Sequence, residues 1–234
     1  MMDDTKKNNQ LVKAKTSSLQ RISSNIVSRG LSDLALLNVG KAKVTDEEER
    51  LSQAREWSER GERHYSNDEY DKAIEAYTNA IALDPHYAEA YFRIGYCNGN
   101  FGRHSEAMEA YKQAIRIKPD YADAHCNLGV TYGKFGRYSE EMEACKQAIR
   151  IKPDFAEAHC GLGVSYYNLG RHTEAMEAYK QAIHIKPDFA EAHYDLGVTY
   201  LKTRDKDLAS EEYRILKNLN KDLANKLFGF ISKE

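Results

Sequence analysis

Three histidines recur at one spacing: His125, His159 and His193 lie 34 residues apart, and Cys126 and Cys160 sit beside two of them. Histidine and cysteine are good zinc ligands, so such columns are candidates for a metal or redox centre. The spacing opposes that reading. Ligands to one zinc must converge within about 2.3 Å of it. Adjacent 34-residue units are instead separated by about two helix widths, roughly 10 Å each. These histidines are therefore expected to pack, and no metal or other cofactor is expected.

A second column is basic, with Lys112, Arg116, Lys146, Arg150 and Lys180 repeating along the chain. Read as chemistry, it is an anion or nucleic-acid stripe. Glu109, Glu143 and Glu177 stand at i,i+3 to the lysines, however, and interleaved carboxylates break a continuous positive field. A solvated convex face is the better reading. The glycines fall at helix ends and packing positions, so no phosphate-cradling loop is formed, and neither G-x-S-x-G nor H-E-x-x-H occurs. No catalytic residue is assigned, and the chain is not expected to be an enzyme.

Composition points the same way. Lysine and arginine total 34 against 36 acidic residues, a net charge of -2, which gives no pull toward nucleic acid or an anionic membrane. The cysteines Cys97, Cys126, Cys145 and Cys160 form no C-x-x-C pair, and reduced thiols in a cytoplasm are the default reading. No apolar run approaches the roughly 20 residues that span a bilayer. The opening MMDDTKKNNQ lacks an apolar signal core. A soluble, cytoplasmic protein is expected.

The elements that position these columns are set by Pro85, Pro119, Pro153 and Pro187, each 34 residues after the last. Aligned on them, the chain yields five units: 54–87, 88–121, 122–155, 156–189 and 190–223. EAMEAYKQAIRIKPD (106–120), EEMEACKQAIRIKPD (140–154) and EAMEAYKQAIHIKPD (174–188) are near copies. Each unit reads as two helices with apolar residues at three- and four-residue steps. Gly102, Gly136 and Gly170 suit a left-handed cap after the first helix. Ser105, Ser139 and Thr173 are expected as N-caps of the second, with Glu106, Glu140 and Glu174 near its positive end. A lysine–proline or aspartate–proline step closes the unit, since proline cannot donate the next backbone hydrogen bond.

This pattern resembles the tetratricopeptide repeat family, whose period is 34 residues. The family's first-helix glycine falls on Gly61, Gly95, Gly129, Gly163 and Gly197. Its starting aromatic falls on Trp57 and Tyr91, with His125, His159 and His193 as variants. In the second helix the small residue is Ala73, Ala107, Ala175 and Ala209. The packed aromatic is Tyr77, Tyr111, Tyr179 and Tyr213, followed by Ala80, Ala114, Ala148 and Ala182. The resemblance implies an all-α fold, a right-handed α-superhelix (an α-α solenoid) of five repeats with a C-terminal capping helix. One helix pair cannot bury its own apolar face, so stability grows as units stack.

Departures from the pattern are specific. In the third unit Glu141 replaces the small alanine and Cys145 replaces the aromatic, both on one face of one helix. This unit is expected to be the weak joint, with Glu141→Ala stabilising by on the order of 1 kcal/mol. Lys221 stands where proline is expected, so KDLANKLFGFISKE reads as a closing helix, with 224–234 as its end. Residues 1–53 lie outside the repeats. They read as a polar tail with an amphipathic helix at about 18–38, its apolar side formed by Leu19, Ile22, Ile26, Val27, Leu31, Leu34 and Leu37. That helix would cap the first repeat or dock on a partner, but its serines and charges make no firm membrane anchor.

In the family the first helices line the groove. Carried over by position, the groove residues are Phe92, Arg93 and Tyr96, then Cys126, Asn127, Val130 and Lys134, then Cys160, Val164, Tyr167 and Asn168, and finally Tyr194, Asp195 and Val198. Glu89, Asp123, Glu157 and Glu191 form an acidic edge. The resemblance thus implies an adaptor or scaffold holding a peptide or helix of a protein partner, apolar with some positive charge. The alternative is a regulatory subunit or chaperone of an enzyme, gated by the N-terminal helix. The end repeats also offer a surface for a homo-oligomer. Chaperone-binding members of the family use groove cations; here Glu157 and Gly161 occupy those positions.

Overall fold

The computed structural model describes residues 45–233. The chain divides into two units, Met1–Gln53 and Ala54–Glu234. Of the first, residues 45–53 are described and are helical. The amphipathic helix expected at 18–38 lies outside the described residues.

The second unit is a run of helices joined by short turns, and no strand occurs among the described residues. They are α1 (54–66), α2 (Tyr70–Leu83), α3 (Ala88–Asn100), α4 (His104–Ile117), α5 (Ala122–Lys134), α6 (Tyr138–Ile151), α7 (Ala156–Asn168), α8 (His172–Ile185), α9 (Ala190–Lys202), α10 (Lys206–Leu219) and α11 (Lys221–Ile231). Each helix packs on the next, and the odd-numbered helices from α3 to α11 also touch the following odd-numbered one. The fold is an α-α solenoid in which α3, α5, α7 and α9 line one face.

The turn inside each unit is a repeated device. Gly102, Gly136 and Gly170 take φ of +72°, +70° and +75°, a conformation that costs glycine little. Asp68 and Arg204 hold the same position in the first and last units, with φ of 58° and 65°. The next amide then reaches back to the helix, Arg103 N to Asn98 O at 2.9 Å and Arg137 N to Tyr132 O at 3.0 Å, closing the Schellman pattern. That bond directs the chain straight into the next helix. In consequence α4, α6 and α8 begin at His104, Tyr138 and His172, and Ser105, Ser139 and Thr173 lie inside them. The residues at the caps, Arg103, Arg137 and Arg171, make no side-chain capping bond. Arg137 and Arg171 instead pair with Glu140 and Glu174 at 2.7 Å. The expectation of hydroxyl N-caps is therefore corrected.

α4, α6 and α8 each end on an extended lysine before proline, with φ near −126° to −132° at Lys118, Lys152 and Lys186, and α2 ends likewise on Asp84 before Pro85, the region proline imposes on its predecessor. The histidine column then ties the junction. His125, His159 and His193 place Nε2 at 3.0, 2.9 and 3.0 Å from the carbonyls of Pro119, Pro153 and Pro187. The carbonyls beyond the helix ends, which no intrahelical amide can reach, gain a partner.

The core is built of rings seated on glycines. A Cβ on Gly61, Gly95 or Gly163 would lie 2.5, 2.7 or 2.5 Å from the ring of Tyr77, Tyr111 or Tyr179. Ala73, Ala107, Ala175 and Ala209 are each fully buried, which lets the paired helices approach. The last unit solves the seat differently. Leu227 of α11 is fully buried and lies 2.6 Å from where a Gly197 Cβ would be, while Tyr213 is half-buried and stacks on Phe228 at 5.3 Å. α11 is thus the capping helix, entered through Asn220, whose side chain accepts from the amides of Asp222 and Leu223.

Candidate functional site

The line of first helices presents two columns at 34-residue spacing. The inner one, Phe92, Cys126, Cys160 and Tyr194, is drawn into the helix junctions, with Phe92, Cys126 and Cys160 buried. Phe92 meets the rings of Tyr121, Tyr111 and Tyr96 at 5.0, 5.8 and 6.3 Å. The outer one, Tyr96, Val130, Val164 and Val198, stays accessible, and Val130 is 44% exposed.

Two adjoining concavities open on this face. The larger, about 410 Å³, is lined by Val130, Lys134, Glu157, Cys160, Val164 and Asn168, all placed in the groove by the sequence, together with Gly133, Tyr138, Glu141, Gly161 and Phe189. The smaller, about 200 Å³, shares Val130 and Lys134 and adds Tyr96, Asn127 and Tyr111 among others. Glu89 and Arg93 fall elsewhere, in a polar hollow with Arg55 and Glu62. There Arg93 Nε lies 2.8 Å from Glu62, whose carboxylate also accepts from the Tyr77 hydroxyl at 2.8 Å.

Several groove polar groups are already engaged. The amides of Asn127 and Asn168 turn back to the carbonyls of Asp123 and Val164, both at 2.9 Å. Glu157 is met by Lys186 at 3.3 Å. Asp123 and Glu191 remain exposed at the edge. Tyr167 rests against His172, ring centroids 5.3 Å apart. Asp195 stands at the groove end, where burial, aided by Glu191, pushes its carboxyl up to about 7.

Sequence reasoning read Glu141 as a packing defect; the structure places it in the wall of the larger concavity. The residue is 3% exposed. Oε2 has no hydrogen-bond partner among the described residues. Burial raises this carboxyl to about 7, with the Ser165 hydroxyl drawing it partly back. The signal lay in the columns. Glycine stands at position 161 where other repeats carry Arg93, Asn127 and Asp195, and glutamate replaces alanine at 141, so a missing side chain and an added carboxyl fall in one lining.

The remaining chemistry is occupied or dispersed. Among the described residues no three His, Cys, Asp or Glu side chains gather as a metal site. Burial pushes the Cys97 thiol up to about 11 and Cys126 to about 12, and raises Cys145 and Cys160 further. On the outer face Lys112 pairs with Glu109 at 2.8 Å, while Lys146 and Lys180 lie over the rings of Tyr166 and Tyr200. No helix among the described residues is long and apolar enough to cross a membrane.

Comparison with known proteins gives a consistent result. A family model described as TPR repeat matches residues 61–99, 102–136, 136–170 and 165–203, and one described as tetratricopeptide repeat matches 190–222. No curated protein matches the chain. Among solved structures, MamA is similar at 26% identity, over 70% of this chain and 96% of its own, with a TM-score of 0.62. YrrB, described as a TPR protein with an unusual peptide-binding site, matches at 23% identity over 79% of this chain and 95% of its own, TM-score 0.62. MamA from Desulfovibrio magneticus RS-1 has the same fold at 18% identity, over 73% of this chain and 96% of its own, TM-score 0.66.

Proposed function

The chain belongs to the tetratricopeptide repeat family, and from that premise we propose that it is a non-catalytic adaptor whose concave face holds a segment of a protein partner. One observation carries this reading: two adjoining concavities on the first-helix face share Val130 and Lys134, and the larger has mainly apolar walls. Exposed apolar and aromatic groups arranged in a trough are what an extended or helical segment needs as anchor points. The partner's chemistry follows from the lining. Glu157, Glu191, Asp123 and Asp195 place carboxylates along the trough, so the favoured segment carries apolar anchors and positive charge.

The outer face supports the same choice by contrast, because its lysines are matched by carboxylates or lie on tyrosine rings. Peptide capture in YrrB supports the general mode of action and says nothing of the segment recognised here.

Site-directed photocrosslinking tests this. Benzoylphenylalanine replacing Val130 or Asn168 would crosslink a co-expressed partner, and the same group replacing Lys112 or Lys146 would not. Crosslinks only from the Lys112 and Lys146 positions would place the partner on the convex side and reject the reading.

A further inference from the structure

Five second helices share one packing position. Four of them fill it with alanine, at residues 73, 107, 175 and 209, each fully buried. The third places Glu141 there and buries it almost as deeply. A carboxyl taken from water without a full set of partners costs stability, so nothing in packing favours it over alanine. Its surroundings are altered as well. Two glycines share its surroundings: a Cβ on Gly133 would stand 2.8 Å from Glu141 Oε1, and Gly161, where other repeats carry Arg93, Asn127 and Asp195, lines the same concavity without a side chain, its Cβ position closed by Cys145 Sγ at 2.9 Å. The result is the concavity of about 410 Å³, with Glu141 in its lining.

We infer that this concavity is an anchor site for one long cationic side chain, lysine or arginine, of the segment held in the groove. The inference rests on the groove reading above. Oε2 lacks a donor among the described residues, and an ammonium or guanidinium supplies several. Val130, Val164 and Phe189 form apolar walls beside it, suited to the methylene stem that such side chains bury while their charge finds a polar partner. Glu157 adds a second carboxylate to the lining, which opposes an acidic occupant. Lys134, also in the lining, is exposed. The raised proton affinity of Glu141 reports the same unmet need, because a bound cation would stabilise the carboxylate that burial disfavours.

The test uses the full chain and four fluorescein-labelled, end-capped heptapeptides of alternating leucine and serine, with lysine, arginine, norleucine or glutamate at the centre. Affinities are read by anisotropy at pH 8. The lysine and arginine peptides are expected to bind about tenfold more tightly than the norleucine peptide, and the glutamate peptide more weakly still. Glu141→Gln and Glu141→Ala should remove the preference; the alanine variant restores the residue of the other repeats and should fold. Equal binding of lysine and norleucine peptides, or a preference that survives in Glu141→Gln, overturns the anchor site. If peptides bind without that preference and Tyr96→Ala weakens them all, the groove stands and the anchor alone falls. No binding by any of the four overturns both.

Discussion

Glu141 lies against Gly133 so closely that a Cβ on the glycine would stand 2.8 Å from one carboxyl oxygen and 2.9 Å from the other. This pair joins the two themes of the molecule. Everywhere else the array uses small residues to bring helices together; here it uses one to make room for a buried carboxyl. The buried carboxyl burdens the fold in the wall of the larger groove concavity. Sites that weaken the structure while facing a cleft are where function is commonly found.

The burden has a pH signature. The Glu141 carboxyl moves from an ordinary 4.5 to about 7 in the folded chain. Below 4.5 it is protonated in both states and costs nothing. Between 4.5 and 7 the unfolded chain releases this proton while the folded chain retains it, so native stability falls across that window and levels off above about 7. At about 1.4 kcal/mol per tenfold change in proton affinity, the full penalty is on the order of 3 kcal/mol. Urea unfolding of Glu141→Gln should be closest to the native chain near pH 4.5, exceed it increasingly up to about pH 7, and hold a steady margin above that. A constant gap would show that charge burial is not the cause.

His193 gives the opposite dependence. Its Nδ1 lies 2.6 Å from Glu212 and its Nε2 3.0 Å from the Pro187 carbonyl. Both partners are acceptors, which suits the imidazolium with two donors, and Glu212 first, then Pro187, raises its proton affinity against the effect of burial. The contribution is complete below the ordinary 6.5 and disappears as pH rises through the elevated folded value. Glu212→Gln should cost about 2 kcal/mol at pH 6 and less at pH 9. A larger loss at pH 9 would contradict the charged pair.

The ring seats are sterically committed. A Cβ on Gly163 would meet three Tyr179 ring atoms at 2.5 to 2.9 Å, and that ring is 1% exposed. Gly163→Ala should therefore destabilise by about 1–3 kcal/mol, read as a lower urea midpoint. Gly102→Ala has space around it but a φ of +72°, and should also lose stability, for a backbone reason. An unchanged midpoint in Gly163→Ala would remove the seat from the account.

The four cysteines should behave as small apolar side chains. All are buried, and burial raises every thiol, which keeps the reactive thiolate scarce. Ellman's reagent at pH 8 should titrate them only after unfolding. Rapid native labelling would expose one of them as accessible.

Much of this architecture could be read from the chain before any coordinates. The proline period located the junctions, the glycines located the left-handed turns, and Lys221 in place of proline located the closing helix. The hydroxyl caps were misplaced because the 6→1 bond after each glycine starts the next helix earlier than side-chain capping would. Tyr213 was assigned the last ring seat because position alone cannot show that Leu227, from beyond the repeats, takes it. Glu141 was visible as an exception, but its meaning depended on Gly133 and Gly161, which become its neighbours only once α5, α6 and α7 are packed. The histidine column was legible as a packing column, but not its partners, the proline carbonyls that each ring meets.

The central claim is that the face formed by α3, α5, α7 and α9 receives the partner. Amide chemical-shift mapping of the full chain, titrated with the lysine-centred heptapeptide, reads every helix at once. Perturbations concentrated around Val130, Gly161, Val164 and Val198, with α4, α6 and α8 unmoved at their exposed lysines, are the predicted result. Shifts gathered instead along Lys112, Lys146 and Lys180 would contradict it.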